Sequence, residues 1–405
     1  MKRNRPADPK HVVNTVKKDN SQRKVKKIAL TFDNAVKEID DPRTKSGAID
    51  YPLVEILFSA LVAVVCGASS YPEIETFGKE QQRWLKKFFP YKNGSPSHDT
   101  FNRVFDLLDP KSLEQAYRLL IEGLKLRTTK HIAIDGKASR GCFKIKGQSL
   151  LHTVSAWDTE NSVALGQLKT KNDEGKDVGE YNTIPSLIET LDIEGKDVTI
   201  DAGGCYENIV DAIVDGGGNY LITVKGNQPT LLSAMESAFS EVESKGFEEV
   251  DCYQESDSGH GRIEERRYYA LSVAQDSELR QKWQGLETYM KGVFHRTVKG
   301  KTTTQVRYMI SNLPCKEVQR LGRCFRNHWG IENRLHWMLD VCFGEDGNRT
   351  RRGNGQENLG KLRRLVHGML LKVKGKQTVP KMMFRAALSP EFRTTVVEQI
   401  VKNES

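Results

Sequence analysis

Three carboxylates stand out for where they sit. Asp135 closes the apolar run IAID, Asp201 closes VTID, and Glu332 lies in HWGIENRLHW, a segment whose apolar residues recur at helical spacing. Acids where strands emerge from a sheet occupy the place where α/β proteins bind ligands. Hard cations such as Mg²⁺ take carboxylate oxygens, and two of them about 4 Å apart can activate a nucleophile and stabilise the leaving oxygen of a phosphodiester. A third acid on a helix would complete such a site. Taken singly, each has an ordinary reading: Asp-Gly after a strand is a turn signal, and a Glu in an apolar helix can face solvent. The joint order, strand Asp, strand Asp, helix Glu, is what favours chemistry.

Other polar residues cluster near these acids. Lys137 and Arg140 follow Asp135, while Lys225, Asn227 and Gln228 follow the apolar run NYLITV. Cationic and amide groups suit phosphate contacts, and a solvated loop is the plain alternative. His328, Glu332 and His336 recur every four residues and share one helical face. A zinc hydrolase helix needs two His four apart with the Glu directly after the first, so this spacing argues against zinc. The two histidines are expected to orient the acid or to touch the nucleic acid. Trp329 and Trp337 are expected to pack in the core. The cationic runs RTRRGN and GKLRRLVHG are candidates for holding phosphates, the second equally a solvated helix.

The elements that must position these groups follow from periodicity. Residues 1–30 carry ten Lys or Arg against two Asp and read as a flexible basic arm. From 31 to 128 the pattern is helical, in blocks such as YPLVEILFSALVAVVCGA and SPSHDTFNRVFDLLD. Ser97 is a start signal for the latter block, whose exposed face would carry His98, Asn102 and Arg103 and could enter a DNA groove. After 129 the runs HIAIDG, SLLHTVSAWD and SVALGQLKT read as strands, then TIPSLIETLD as helix, DVTIDA as strand, ENIVDAIVDGG as helix and NYLITVK as strand. This predicts β-β-β-α-β-α-β. A β-rich stretch at 228–312 reads as an insertion. Helical periodicity returns near 316, with Leu321, Phe325, Trp329, Ile331, Leu335 and Met338 on one apolar face.

Composition narrows the partner. The chain has 405 residues, enough for two or three domains, with 28% charged residues and a net charge of +9, which favours a polyanion. Seven scattered cysteines without a Cys-x-x-Cys pair suggest neither a disulfide framework nor a thiolate zinc site, and suit a reducing cytoplasm. The basic N-terminus has no apolar core of a secretory signal. The longest apolar run, Ile56 to Ala68, is too short for a span, which requires about 20 residues.

With these motifs in place, the chain resembles a known family, the ISAs-type or H-repeat-associated DDE transposases of bacterial insertion sequences. The N-terminal part is similar in DPRTKSGAIDYPLVEILFSALVAVVCGASSYPEI and GSPSHDTFNRVFDLLDP, the helical transposase-associated region. The catalytic part is similar in IAIDGKASRG, LHTVSAW, VTIDA, YLITVKGNQPTL, HGRIEERRY and HWGIENRLHWMLDVCFGED. The resemblance implies an α/β fold: an RNase-H-like DDE catalytic domain over 129–372 with a β-rich insertion at about 228–312, preceded by an all-helical domain at 31–128 and followed by a tail at 373–405. It implies Asp135, Asp201 and Glu332 as catalytic, metal-binding acids using Mg²⁺ or Mn²⁺. Double-stranded DNA, both transposon ends and target, would be the partner of a homodimer working in the bacterial cytoplasm on the nucleoid. His260 and Arg262 would meet that DNA. Two departures are visible: AGGCYENI stands where the family commonly has a Met-Gly-Thr-Gln-like run, and Phe325, His328 and Leu339 hold positions that the wider superfamily gives to Tyr, Arg and Lys around the helix glutamate.

Overall fold

The computed structural model describes residues 9–43, 49–124, 129–138, 152–170, 178–248, 250–259, 261–347 and 353–401. They divide into two compact units: the described residues up to 124 and from 338 onward form a helical unit, and those between 129 and 337 a sheet-based one.

The helical unit begins with α1 (Pro9–Val36), α2 (Leu53–Val65), α3 (Tyr71–Glu80), α4 (Gln82–Leu85), α5 (His98–Leu107) and α6 (Pro110–Glu122). Residues 9–36 form one helix where composition suggests a flexible arm to residue 30. Ile28, Phe32, Ala35 and Val36 fall on one face and are buried, with Phe32 edge-on to Phe58 of α2 at 5.2 Å. Ser97 caps α5 by accepting from the Thr100 amide. His98 is exposed as expected, and it bonds to Glu75 of α3 through both its backbone N (2.9 Å) and its ring (2.6 Å).

In the sheet unit the strands are β1 (His131–Ala138), β2 (His152–Asp158), β3 (Val163–Lys169), β4 (Asp197–Ile200) and β5 (Asn219–Val224), with helices α7 (Gly179–Ile188) and α8 (Glu207–Asp215) between the later ones. β1 pairs antiparallel with β2 and parallel with β4, giving the RNase-H-like order 3-2-1-4-5. Next come α9 (Pro229–Ser244), β6 (Asp251–Gly259), β7 (Arg262–Ser272), α10 (Glu278–Lys282), β8 (Thr288–Val298) and β9 (Lys301–Ser311). The stretch read as a β-rich insertion thus opens with a helix of 16 residues. Its strands also continue the same sheet, because β9 pairs with β5, giving nine strands in the order 3-2-1-4-5-9-8-7-6.

Side-chain alternation sorts the two sheet faces. Ile132, Ile134, Val198 and Ile200 pack with α7, α8 and α9 in one apolar core. α11 (Val318–His328) covers the other face, where Leu321, Cys324 and Phe325 pack with Leu221, Tyr268 and Met290. Strands buried on both sides read as continuous apolar runs, as IAI and VTI do. Arg320 of α11 donates to both Asp197 oxygens at 2.8 and 2.6 Å, a bidentate pair that fixes the helix against the start of β4.

Beyond α11 the helix is interrupted: residues Ile331–His336 form a wider π turn before α12 (Trp337–Val341). Trp337, expected in the core, is 54% exposed. The apolar face read through Leu321, Phe325, Ile331 and Leu335 is buried as expected, and Trp337 lies off it. The chain returns to the helical unit with α13 (Gly355–Lys372), α14 (Val379–Leu388) and α15 (Pro390–Val397). The residues read as a tail therefore include two helices, and GKLRRLVHG is neither solvated nor open to phosphate. Lys361, Arg363 and Arg364 are buried: Lys361 pairs with Glu114 at 2.8 Å, Arg364 with Glu345 at 2.9 Å, and Arg363 donates to the Ser69 carbonyl.

Candidate active site

The register of the parallel pair brings the two aspartates together. Ile134 lies beside Ile200, so the next residues, Asp135 and Asp201, leave neighbouring strands side by side. Such strands are roughly 4.8 Å apart. Both acids have the parity of Ala133 and Thr199, opposite to the isoleucines, and so face the side that α11 covers. Asp135 is not in a turn. β1 runs on to Ala138, with Asp135 paired to Ser155, so its carboxyl stands on a strand held from both sides. Asp201 caps a short 3₁₀ turn, its Oδ1 accepting from the Gly203 amide at 2.9 Å.

Glu332 enters from the π turn after α11, a departure from regular helix of a kind frequent at functional sites. Burial, and then the charges of Asp201, Glu332 and Glu180, push the Asp135 carboxyl up to about 8. Glu332 is raised by desolvation and by Asp201, against the opposing pull of Arg307 and Lys225. Asp135 thus feels the charges of Asp201 and Glu332, and Glu332 that of Asp201.

Two histidines flank the acids. His336 Nδ1 stands 3.5 Å from Asp135 Oδ2. His328 reaches Thr199 Oγ1 at 2.9 Å, and Thr199 in turn reaches His131 at 2.8 Å, a buried chain beneath Asp201. Burial, outweighing Asp201, holds His328 down at about 4, so it is neutral at neutral pH.

The other residues singled out in the sequence fall in different places. Asn227 donates to the Ala202 carbonyl and Gln228 to the Cys205 carbonyl, both at 2.8 Å, so their amides brace the turn that begins at Asp201. Lys137 is buried in β1. Lys225 is exposed beyond β5, near enough to Glu332 to lower its carboxyl. Arg262 begins β7, paired to Glu264 at 3.2 Å. Arg140 and His260 lie outside the described residues, as does most of RTRRGN.

Residues not singled out in the sequence also meet here. Arg307 of β9 stacks over Trp329 at 5.6 Å. Arg262, Arg296, Arg307, Trp329 and Glu332 line a cavity of about 410 Å³. Glu180, in the first turn of α7, joins the acids. Its signal lay in Gly136, a glycine inside a strand, which marks a place where another group comes close.

The donor set suits hard divalent cations: several carboxylates, flanking imidazoles and no thiolate. The mutual repulsion at Asp135 is what a bound cation relieves. Among the described residues, no three His, Cys, Asp or Glu side chains stand close enough together to hold a metal ion as they are placed.

The chain is similar to known proteins. Residues 126–367 match the family described as Transposase DDE domain, and residues 34–121 match the family described as associated with it. The "H repeat-associated putative transposase YhhI" of Escherichia coli K12 is 33% identical over 87% of this chain and 91% of its own length. The "putative transposase YncI" of E. coli O157:H7 is 35% identical over 80% and 84%, and YbfL of strain K12 is 34% identical over 87% and 91%. Such enzymes generally work with divalent metal. A domain match over more than half the chain, with relatives aligned along nearly their whole length, places this protein in the H-repeat-associated family of DDE transposases.

Proposed function

We propose that Asp135, Asp201 and Glu332 hold two Mg²⁺ or Mn²⁺ ions and use them to cut DNA at the ends of an insertion sequence and join those ends to target DNA. The observation behind this reading is the convergence of the three acids at one sheet edge, with Asp135 held up at about 8 by burial and by its acidic neighbours. The cations supply charge that lowers the cost of forming the attacking oxygen and of releasing the leaving one. Activity then comes from positioning and charge stabilisation, without a covalent enzyme intermediate. In the first step water breaks the phosphodiester and frees a 3′-hydroxyl. In the second that hydroxyl attacks a target phosphodiester, so one bond forms as one breaks.

The protein's own groups have separate tasks. His336 orients Asp135, and the His328–Thr199 bond steadies the strand that ends at Asp201. Arg262, Arg296 and Arg307 offer phosphate contacts along the cavity that reaches Glu332, and Trp329 a surface for a base or sugar, while Lys225 adds its charge near Glu332. Asn227 and Gln228 act through the Asp201 turn, and Lys137 stands on the same strand as Asp135. β6–β9 is read as an insertion in the RNase-H-like domain that carries the DNA-facing arginines. The helical region at 31–128 is read as an accessory DNA-binding domain. Two ends must be held at once, so the working form is a homodimer on paired ends, acting on the nucleoid in the cytoplasm.

The test is Mg²⁺-dependent nicking of DNA bearing the element's own ends. Asp135→Asn, Asp201→Asn and Glu332→Gln should each lower nicking about a hundredfold or more, the scale for losing one charge-stabilising group, while DNA affinity stays within about twofold. If the wild type binds these ends but does not nick, a DNA-binding regulator or a decayed transposase replaces this reading. Normal nicking by Asp135→Asn overturns the site.

A further inference from the structure

Glu180 approaches the acids from the face of the sheet opposite to the one that Asp135 uses. Along β1, Ile132 and Ile134 point to the α7 side, and by the same parity a side chain at position 136 would do so too. Position 136 is glycine, and a Cβ there would land on the Glu180 carboxylate. The missing side chain is therefore the space that the carboxylate fills. A Cβ at Gly203, in the Asp201 turn, would stand 3.0 Å from Asp201 Oδ1 and 3.2 Å from Glu180 Oε2, so both carboxylates border that point. His152 Nε2 stands 3.4 Å from the other Glu180 oxygen, which anchors the side chain from β2. The charge of Glu180 is felt at Asp135, after those of Asp201 and Glu332.

We propose that Glu180 is a fourth metal-binding carboxylate of this transposase, delivered from the far face of the sheet through the gap that Gly136 leaves. The inference rests on the reading of Asp135, Asp201 and Glu332 as metal ligands. An acid that only braced β2 through His152 would have no need to lie against both Gly136 and Gly203. With Asp135 and Asp201 on one side of the strand ends and Glu180 on the other, these acids would hold a cation from both faces of the sheet. Four acids are also enough to divide between two ions with each acid shared or paired.

The test is Mn²⁺ titration of the full-length protein without DNA, with free Mn²⁺ followed by its paramagnetic signal. Glu180→Gln should weaken Mn²⁺ binding about tenfold or more, on the scale of losing a group that orients or supports a metal site. Gly136→Ala keeps the charge but displaces the acid and should weaken binding in the same direction, whereas Glu180→Asp should recover part of the loss. Melting temperatures of Glu180→Gln and the wild type, measured without metal, show that the fold is intact. A merely structural Glu180 would move melting and leave Mn²⁺ affinity alone. If Asp135→Asn loses Mn²⁺ binding and Glu180→Gln binds as the wild type does, Glu180 is no ligand and the three-acid site stands. If Asp135→Asn also binds as the wild type does, the three-acid reading falls and the role of Glu180 falls with it.

Discussion

Each unit holds a cluster of buried charge, and the two clusters are built in opposite ways. In the helical unit, Lys361 meets Glu114 at 2.8 Å and Glu357 at 3.6 Å, and Arg364 meets Glu345 at 2.9 Å, so both of these buried cations have an acid beside them. In the sheet unit, Asp135 is surrounded by the charges of Asp201, Glu332 and Glu180, and every one of them pushes its carboxyl upward. Paired buried charges serve the fold. Like charges gathered at a sheet edge work against it, and such an arrangement makes sense when a cation from outside completes it. The contrast separates structural from functional charge more sharply than residue type, since the helical unit's buried Lys and Arg are the residues a sequence reader would send to DNA.

The largest effect expected from this contrast is on folding. Glu345→Gln leaves Arg364 buried without its acid, and breaking one side of a buried pair costs about 3–5 kcal/mol. Urea unfolding of the full chain should show that loss, while protein that remains folded keeps its Mn²⁺ affinity. A loss below about 1 kcal/mol, the range of surface pairs, would mean that water reaches the pair and that the contrast with the sheet unit is overdrawn.

The opposite sign is expected at the acid cluster. Asp135→Asn removes one of several mutually repelling carboxylates, so without metal the variant should melt a few degrees above the wild type, corresponding to about 1–2 kcal/mol. Saturating Mg²⁺ should reverse the order, because only the wild type gains the ion's binding energy. Should the variant melt lower than the wild type in chelator, Asp135 is a structural acid whose neighbours already satisfy it.

Much of this was legible from the sequence. The β-β-β-α-β-α-β order follows from runs such as IAID, VTID and NYLITV, because central strands buried on both faces must be apolar throughout. The same alternation that makes Ile134 and Ile200 core residues sends Asp135 and Asp201 to one face. What escaped depended on distant partners or on unusual backbone. Glu180 was missed because the apolar pattern of α7 begins only at Thr183 and Ile184, after the turn that carries the acid. The π turn at Glu332 has no local signature, and Trp337, expected inside because large aromatics usually bury, stands exposed after it. GKLRRLVHG looks like a surface helix until Glu114, 247 residues away in sequence, is seen beside Lys361.

Acid should pull the two units apart in stability. His367 of α13 is buried, and burial, with Lys374 and Arg364 adding repulsion, holds it down to about 3. The unfolded chain takes up that proton near pH 6.5 and the folded one only near 3, so the unfolded state binds more protons throughout that window. Stability from this group is therefore complete above 6.5 and falls by about 1.4 kcal/mol for each pH unit below it. No such loss comes from Asp135, whose like-charge repulsion eases as protons are added. Hydrogen exchange between pH 7 and 5 should thus speed up in peptides covering 361–370 before it does in those covering 131–138. His367→Asn should flatten the slope in the helical peptides and leave the strand peptides unchanged. If both sets speed up together and the variant makes no difference, the units unfold as one and the buried histidine does not set their acid limit.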